Sequence, residues 1–216
     1  MSASMPSGKV AGIDKPVSRI VLGTMIINTK DPEKSYGLLD DAAELGCNTL
    51  DTAHVYAGGD SERAIGEWME ERGNRERMVI ISKGCHHNAD RPRVTPYDLT
   101  SDLMDGLARL RTGYIDLYML HRDDPTLRVG PIVERFNEHM DEGLIRAAGA
   151  SNWTHRRIQE ANEYAESHGL VGFTASSPHF SLAVQVENPW GPGCVGISGP
   201  RQEEARRWYR RTNTPV

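Results

Sequence analysis

Cysteine is scarce in this chain of 216 residues: Cys47, Cys85 and Cys194 are odd in number and far apart. That spacing excludes a disulfide framework and supplies no zinc knuckle. No apolar run approaches the roughly 18 residues that a membrane span requires. The opening stretch, Met1 to Gly8, has neither a basic nor an apolar targeting region. Positive charge is also in deficit. A net charge of -5 argues against a general nucleic-acid surface, although Arg206-Arg-Trp-Tyr-Arg-Arg211 interleaves basic and aromatic residues. An amphipathic helix with Trp208 on its inner side explains that run. These absences predict a soluble chain in a reducing cytoplasm, with no membrane or nucleic-acid partner and one domain over residues 1–216.

From residue 19 onward, short β-like apolar runs alternate with helical segments of about a dozen residues, the pattern of repeated βα units around a parallel sheet. The predicted strands are Ser18 to Gly23, Cys47 to Asp51, Met78 to Lys83, Ile115 to Leu120, Arg146 to Ala150 and Gly172 to Ala175. Asp31 caps the first helix with Pro32 behind it, Leu38, Leu39, Ala42 and Leu45 form its stripe, and Gly46 ends it. Asp60 or Ser61 caps the second. Thr95 and Pro96 open the third, whose Leu99, Leu103, Leu107 and Leu110 keep helical spacing until Gly113 closes it. Further helices cover Pro131 to Met140, Thr154 to Ala165 and Gln202 to Arg210, the last after a Pro/Gly-rich stretch from Asn188 to Pro200. Six units are visible where a closed (β/α)₈ barrel needs eight. An open doubly wound sheet would carry a Gly-rich phosphate turn after its first strand. Leu22-Gly-Thr-Met-Ile-Ile27 is no such turn.

The C-terminal ends of parallel strands form the active face of such folds, and Asp51, Lys83 and His121 all fall there, with Tyr56 five residues past Asp51. Each has a bland alternative: a loop cap, a solvated ammonium, a backbone hydrogen bond. Together, one unit apart, they suit proton delivery to a carbonyl oxygen. An ammonium beside a phenol favours its ionised form, a carboxylate holds the ammonium, and an imidazole orients the substrate oxygen. None of the four can donate a hydride, so a redox reaction needs an added cofactor.

Leu22-Gly-Thr-Met25, Asp51-Thr-Ala-x-x-Tyr56, Gly59-x-Ser61-Glu62 leading to Ile65-Gly66, Ile81-Ser-Lys83, Tyr114-Ile-Asp-Leu-Tyr-x-Leu-His121 and Gly149-x-Ser-Asn152 resemble the aldo-keto reductase family over about residues 18 to 182. The resemblance implies a TIM (β/α)₈ barrel of the NADP-dependent oxidoreductase type that reduces a small-molecule aldehyde or ketone with NADPH and without metal. It makes Asp51, Tyr56, Lys83 and His121 the catalytic tetrad, with Tyr56 as proton donor. Ser151 and Asn152 match the positions that hold the nicotinamide carboxamide, Gly23 and Thr24 match the loop beside it, and Asp51 borders both halves of the site. Ser177 stands where the family often has Gln. The family's seventh and eighth strands, with the segments that bind the pyrophosphate and adenosine phosphate, have no counterpart in the sequence. Thr214-Pro-Val216 reads as the start of another strand, so the expectation is a barrel truncated after its sixth unit, a fragment of a longer reductase.

Two rival readings stay open. A barrel lacking two units could be an inert or purely binding subunit. His54, His86, His87, His121, Asp123 and His179 could instead serve a divalent-metal isomerase or hydrolase, which leaves Tyr56 and Lys83 without a role. Gly191-Pro-Gly-Cys-Val-Gly196 fits the G-x-G-x-x-G string but follows no strand and starts no helix, so it reads as a loop. Asn152-Trp-Thr154 is a glycosylation sequon in form only. Arg122 is expected to pair with Asp123 or Asp124, the alternative being an anionic substrate. The oligomeric state is not legible.

Overall fold

Parallel strands cannot be joined by tight turns, so each apolar run needs a helix to carry the chain back before the next one can pair. The computed structural model, which describes residues 5–182, 193–199 and 202–215, has that organisation. A short antiparallel hairpin, β1 (Ser7–Gly8) and β2 (Val17–Ser18), precedes a parallel sheet. The sheet contains β3 (Leu22–Gly23), β4 (Thr49–Asp51), β5 (Val79–Gly84), β6 (Ile115–Leu120), β7 (Ile145–Ser151) and β8 (Ala175–Ser177), in that order. The helices α1 (Pro32–Glu44), α2 (Asp60–Arg72), α3 (Pro96–Leu110), α4 (Gly130–Asp141) and α5 (His155–Ser167) alternate with the strands, and α6 (Glu203–Thr212) follows β8. Because spatial order equals chain order, the sheet has no switch point of the doubly wound kind. It is a curled half-barrel, six staves of a TIM barrel.

The pleat sends alternate residues to opposite faces. On the outer face Leu50, Ile80, Tyr118, Leu120 and Ala148 pack under Leu39, Ile65, Trp68, Leu99, Leu103 and Phe136 of the helices. On the inner face Val79, Leu117, Met119, Ala147 and Ala175 pack with Val10 and Ile13 of the hairpin, which closes the floor. The floor is tied by charge as well. Buried Asp116 binds Lys15 and Arg75, each at 2.9 Å, while Lys15, Arg75 and Arg146 lie over the ring of Tyr114 at 5.0, 4.0 and 4.4 Å. Gly12, at φ +87°, passes so close to the Arg146 carbonyl that a Cβ would sit 2.6 Å from it.

Several boundaries differ from the sequence reading for local reasons. The run from Ser18 to Gly23 is split: Ser18 belongs to the hairpin, where its N–H donates to Asn48 Oδ1 and Thr49 Oγ1, and only Leu22 and Gly23 join the sheet. The second strand begins at Thr49 and the sixth at Ala175, so the latter ends on Ser177. Leu45 is 72% exposed, and α1 buries Ser35 and Leu39 instead, because α1 packs mainly on α2. Neither Asp60 nor Ser61 caps α2. Asp60 accepts hydrogen bonds from the N–H and hydroxyl of Thr29, and Ser61 is bonded to Thr24 and Thr52. Left-handed Arg111, held by Glu67 and Glu70, ends α3 in place of Gly113. Asp31, Thr95 and Thr154 cap their helices through their side chains. Gly191 and Pro192 of the glycine string, with the rest of 188–192 and Pro200 from the stretch Asn188 to Pro200, lie outside the described residues. Gly193 to Gly196 form no helix, and Ser176 N–H donates to the Pro215 carbonyl at 3.0 Å beside β8.

Candidate active site

The register sets the site. Gly23 pairs with Asp51, Asp51 with Ile81, Lys83 with Met119 and Met119 with Gly149, so Gly23, Asp51 and Lys83 share the inner face. His121 and Ser151 lie two residues beyond Met119 and Gly149, on the same face at the C-terminal rim. A cleft of about 680 Å³ opens there, lined by Gly23, Thr24, Asp51, Tyr56, Lys83, His121, Ser151 and Asn152 among others. The eight residues that the family resemblance selected thus line one cavity.

Lys83 is the hub. Its ammonium is buried and donates to Asp51 Oδ1 at 2.5 Å, to the Thr52 carbonyl at 2.9 Å and to the Tyr56 hydroxyl at 3.5 Å. Tyr56 comes from the loop after β4. Ala57, Gly58 and Gly59 have φ of 50°, 66° and 87°, and this left-handed run turns the chain from the phenol into α2. The loop rests on Arg109 of α3, which donates to the His54 carbonyl and pairs with buried Glu62; a Cβ on Gly59 would lie 2.5 Å from its guanidinium. Burial raises the Glu62 carboxyl above the usual carboxylate range, against the hydrogen bonds of Ser82 and Arg109.

His121 stands across the cleft with its ring edge-on to Tyr56, centroids 5.7 Å apart. Burial, then the charge of Lys83, pushes its imidazole down to about 2, so the ring is neutral at any physiological pH. His121 Nδ1 is buried with no hydrogen-bond partner among the described residues, while the ring lines the cleft. His86 packs edge-on against it at 4.8 Å, and its own imidazole is also lowered by burial. Asn152, in the left-handed region at φ 59°, donates from Nδ2 to the His121 carbonyl and to Ser151 Oγ, and Ser151 in turn donates to the Ser177 carbonyl.

Sequence reasoning missed the Thr52 carbonyl, the His86 edge contact and the Arg109 support, since each joins residues distant in the chain. Only the Gly59-x-Ser61-Glu62 string pointed toward the last. Arg122 pairs with neither neighbouring acid: Asp123 binds Arg157 and Asp124 accepts from Thr126. Of the histidines of the metal reading, His86, His121 and His179 line the cleft, and the others lie outside its lining. His54 bonds Asp105, His86 the His87 carbonyl and His87 the Asp123 carbonyl, and among the described residues no three His, Cys, Asp or Glu side chains form a group that could hold a metal ion.

A singly wound sheet of parallel staves with polar side chains gathered at its C-terminal rim has the architecture of a TIM-type barrel. Sequence comparison gives the family: the aldo/keto reductase model matches residues 19–189, and the chain belongs to that family. The aryl-alcohol dehydrogenase [NADP(+)] of Phanerodontia chrysosporium is 30% identical over 88% of the chain and 59% of its own length. Norsolorinic acid reductase of Aspergillus flavus is 31% identical over 77% of the chain and 47% of its length. Among solved structures, a thermostable aldo-keto reductase in complex with the inhibitor epalrestat superposes with a TM-score of 0.70 at 27% identity, covering 81% of this chain and 63% of that one. The chain therefore spans between about half and two thirds of the length of these relatives. Among the described residues, no helix is long and apolar enough to cross a membrane.

Proposed function

We propose that the site reduces an aldehyde or ketone to an alcohol with NADPH. The observation that carries this reading is the Lys83 ammonium held between the carboxylate of Asp51 and the phenol of Tyr56. Family membership and the name of the NADP(+)-dependent relative support the cofactor. The cleft fits its nicotinamide end. No described residue lies within 4 Å of where a Gly23 Cβ would be, which leaves a flat floor, and the oxygens of Ser151 and Asn152 retain lone pairs for a carboxamide N–H₂. Thr24 and Asp51 border that floor. When bound, the nicotinamide supplies the hydride to the carbonyl carbon.

The chain's own residues do the rest. Tyr56 Oη donates its proton to the carbonyl oxygen, and Lys83 stabilises the phenolate left behind. Asp51 keeps the ammonium in place and compensates its charge. Neutral His121 places its N–H on the nitrogen facing the cleft, because Nδ1 has no acceptor among the described residues. From there it donates to the same oxygen and orients the carbonyl. Three cysteines, odd in number and far apart, suit a reducing cytoplasm.

Tyr56→Phe removes only the donor. Carbonyl reduction should then fall by at least about a hundredfold, with NADPH affinity by fluorescence titration nearly unchanged. A variant that loses cofactor affinity and rate together would show that Tyr56 holds the cofactor instead.

A further inference from the structure

The cleft contains three charged side chains among its described residues, and two of them cancel. Asp51 and Lys83 form an ion pair. The third, Arg122, follows His121 and is half-buried beside it. Its backbone is fixed on both sides: Trp153 Nε1 donates to its carbonyl at 3.0 Å, and the preceding carbonyl, that of His121, accepts from its own Nη1 at 2.9 Å. Its other N–H groups have no acceptor among the described residues. The two acids beside it in sequence are turned away, Asp123 to Arg157 and Asp124 to Thr126. A guanidinium that lines a cavity with its Nε and Nη2 edge unfilled is a site for a two-oxygen anion. Around the same cleft Met25, Val55 and Phe180 are 54%, 41% and 55% exposed. They give it an apolar wall, and among the described residues no second arginine or lysine is left uncompensated there.

We infer that the substrate of this site is an anionic carbonyl compound, with an apolar or aromatic body against Met25, Val55 and Phe180 and a carboxylate on the guanidinium of Arg122. The inference rests on the reduction proposed above for the same cleft. The carbonyl group meets Tyr56 and His121, and the carboxylate, at the far end of the body, reaches Arg122 on the His121 side. A neutral compound of the same shape leaves the guanidinium unpaired inside a partly desolvated cavity, which is the condition under which one polar group discriminates most strongly.

The experiment compares 4-carboxybenzaldehyde with its methyl ester, which carries the same ring and the same aldehyde without the charge. Binding is measured by calorimetry without cofactor, so the readout needs no turnover. The acid should bind about tenfold to a hundredfold more tightly than the ester. Arg122→Gln should bring the ratio near one, and Arg122→Lys, which keeps the charge without the fork, should retain part of it. Equal affinities for acid and ester, or a preference that survives Arg122→Gln, overturn the inference. So does a loss of NADPH affinity in Arg122→Gln larger than the loss of acid affinity, since the anion would then be a cofactor phosphate. Turnover is scored separately. An ester reduced as well as the acid, with no binding preference, removes the anion site and keeps the reductase; a binding preference with neither compound reduced removes the reductase and keeps the anion site.

Discussion

Replacing Lys83 should have a consequence that depends on its neighbour. Its ammonium lies 3.5 Å from the Tyr56 hydroxyl. With an effective dielectric of about 20, a unit charge at that distance stabilises a phenolate by about 5 kcal/mol. Asp51 opposes it from no more than about 6 Å, at a cost of about 3 kcal/mol. The pair together therefore favours the phenolate by about 2 kcal/mol. Lys83→Met removes the favourable part and leaves the carboxylate, so reduction should slow by more than about a thousandfold. Adding Asp51→Asn removes the repulsion too, and the double variant should be about a hundredfold faster than the single one, though about thirtyfold slower than the parent. Water in the open cleft lowers each figure in proportion and leaves the order of the variants unchanged. Single-turnover NADPH oxidation with one aldehyde, at saturating cofactor, reads the series. A double variant no faster than Lys83→Met would refute the electrostatic role and leave Lys83 as a purely steric support for Tyr56.

His121 titrates at about 2 in the folded chain against about 6.5 when unfolded, so between these values the unfolded state binds the extra proton and stability falls as the pH drops below about 6.5. Relative to His121→Asn, the parent should lose about 2 kcal/mol of unfolding free energy between pH 7 and pH 5, read from urea curves; parallel curves would show that the ring protonates in place. Gly66 lets α2 cross α3, since a Cβ there would meet the Arg109 carbonyl at 2.4 Å and the Leu110 carbonyl carbon at 2.7 Å. Gly66→Ala should cost about 1–3 kcal/mol in the same assay, and an unshifted midpoint would mean that the helices separate freely.

The parts of the fold legible in the sequence were those written in local code. Thr95, Pro96 and the four leucines fixed α3, which the structure extends over Pro96–Leu110. Trp208, assigned inward by its place among arginines, is 6% exposed. The first predicted strand misled because one apolar run serves two elements, the return of the hairpin and the edge of the sheet. The rim could be read because a strand end is a property of one segment, which located Asp51, Lys83 and His121 separately. What joins them could not. The Thr52 carbonyl on Lys83, the edge of His86 on His121 and Arg109 beneath the loop depend on how units pack, and periodicity carries no trace of that. The fate of Arg122 shows the same limit: its two neighbours in sequence offered a pairing that Arg157 and Thr126 pre-empt.

The floor around Asp116 bears on the spacing at the rim. Lys15 and Arg75 grip the Met78 carbonyl just before β5 and Asp116 at the start of β6, and Asp116 also accepts from Ile80 N–H. The same two strands lead, at their other ends, to Lys83 and His121. A slip of one residue between them would turn Lys83 to the helix side of the sheet. Each strand is thus a gauge bar clamped at its lower end, and the gap between ammonium and imidazole is a length measured up from that datum. Changes in the clefts and loops above can then alter what is bound without disturbing the scale on which the reacting groups are set.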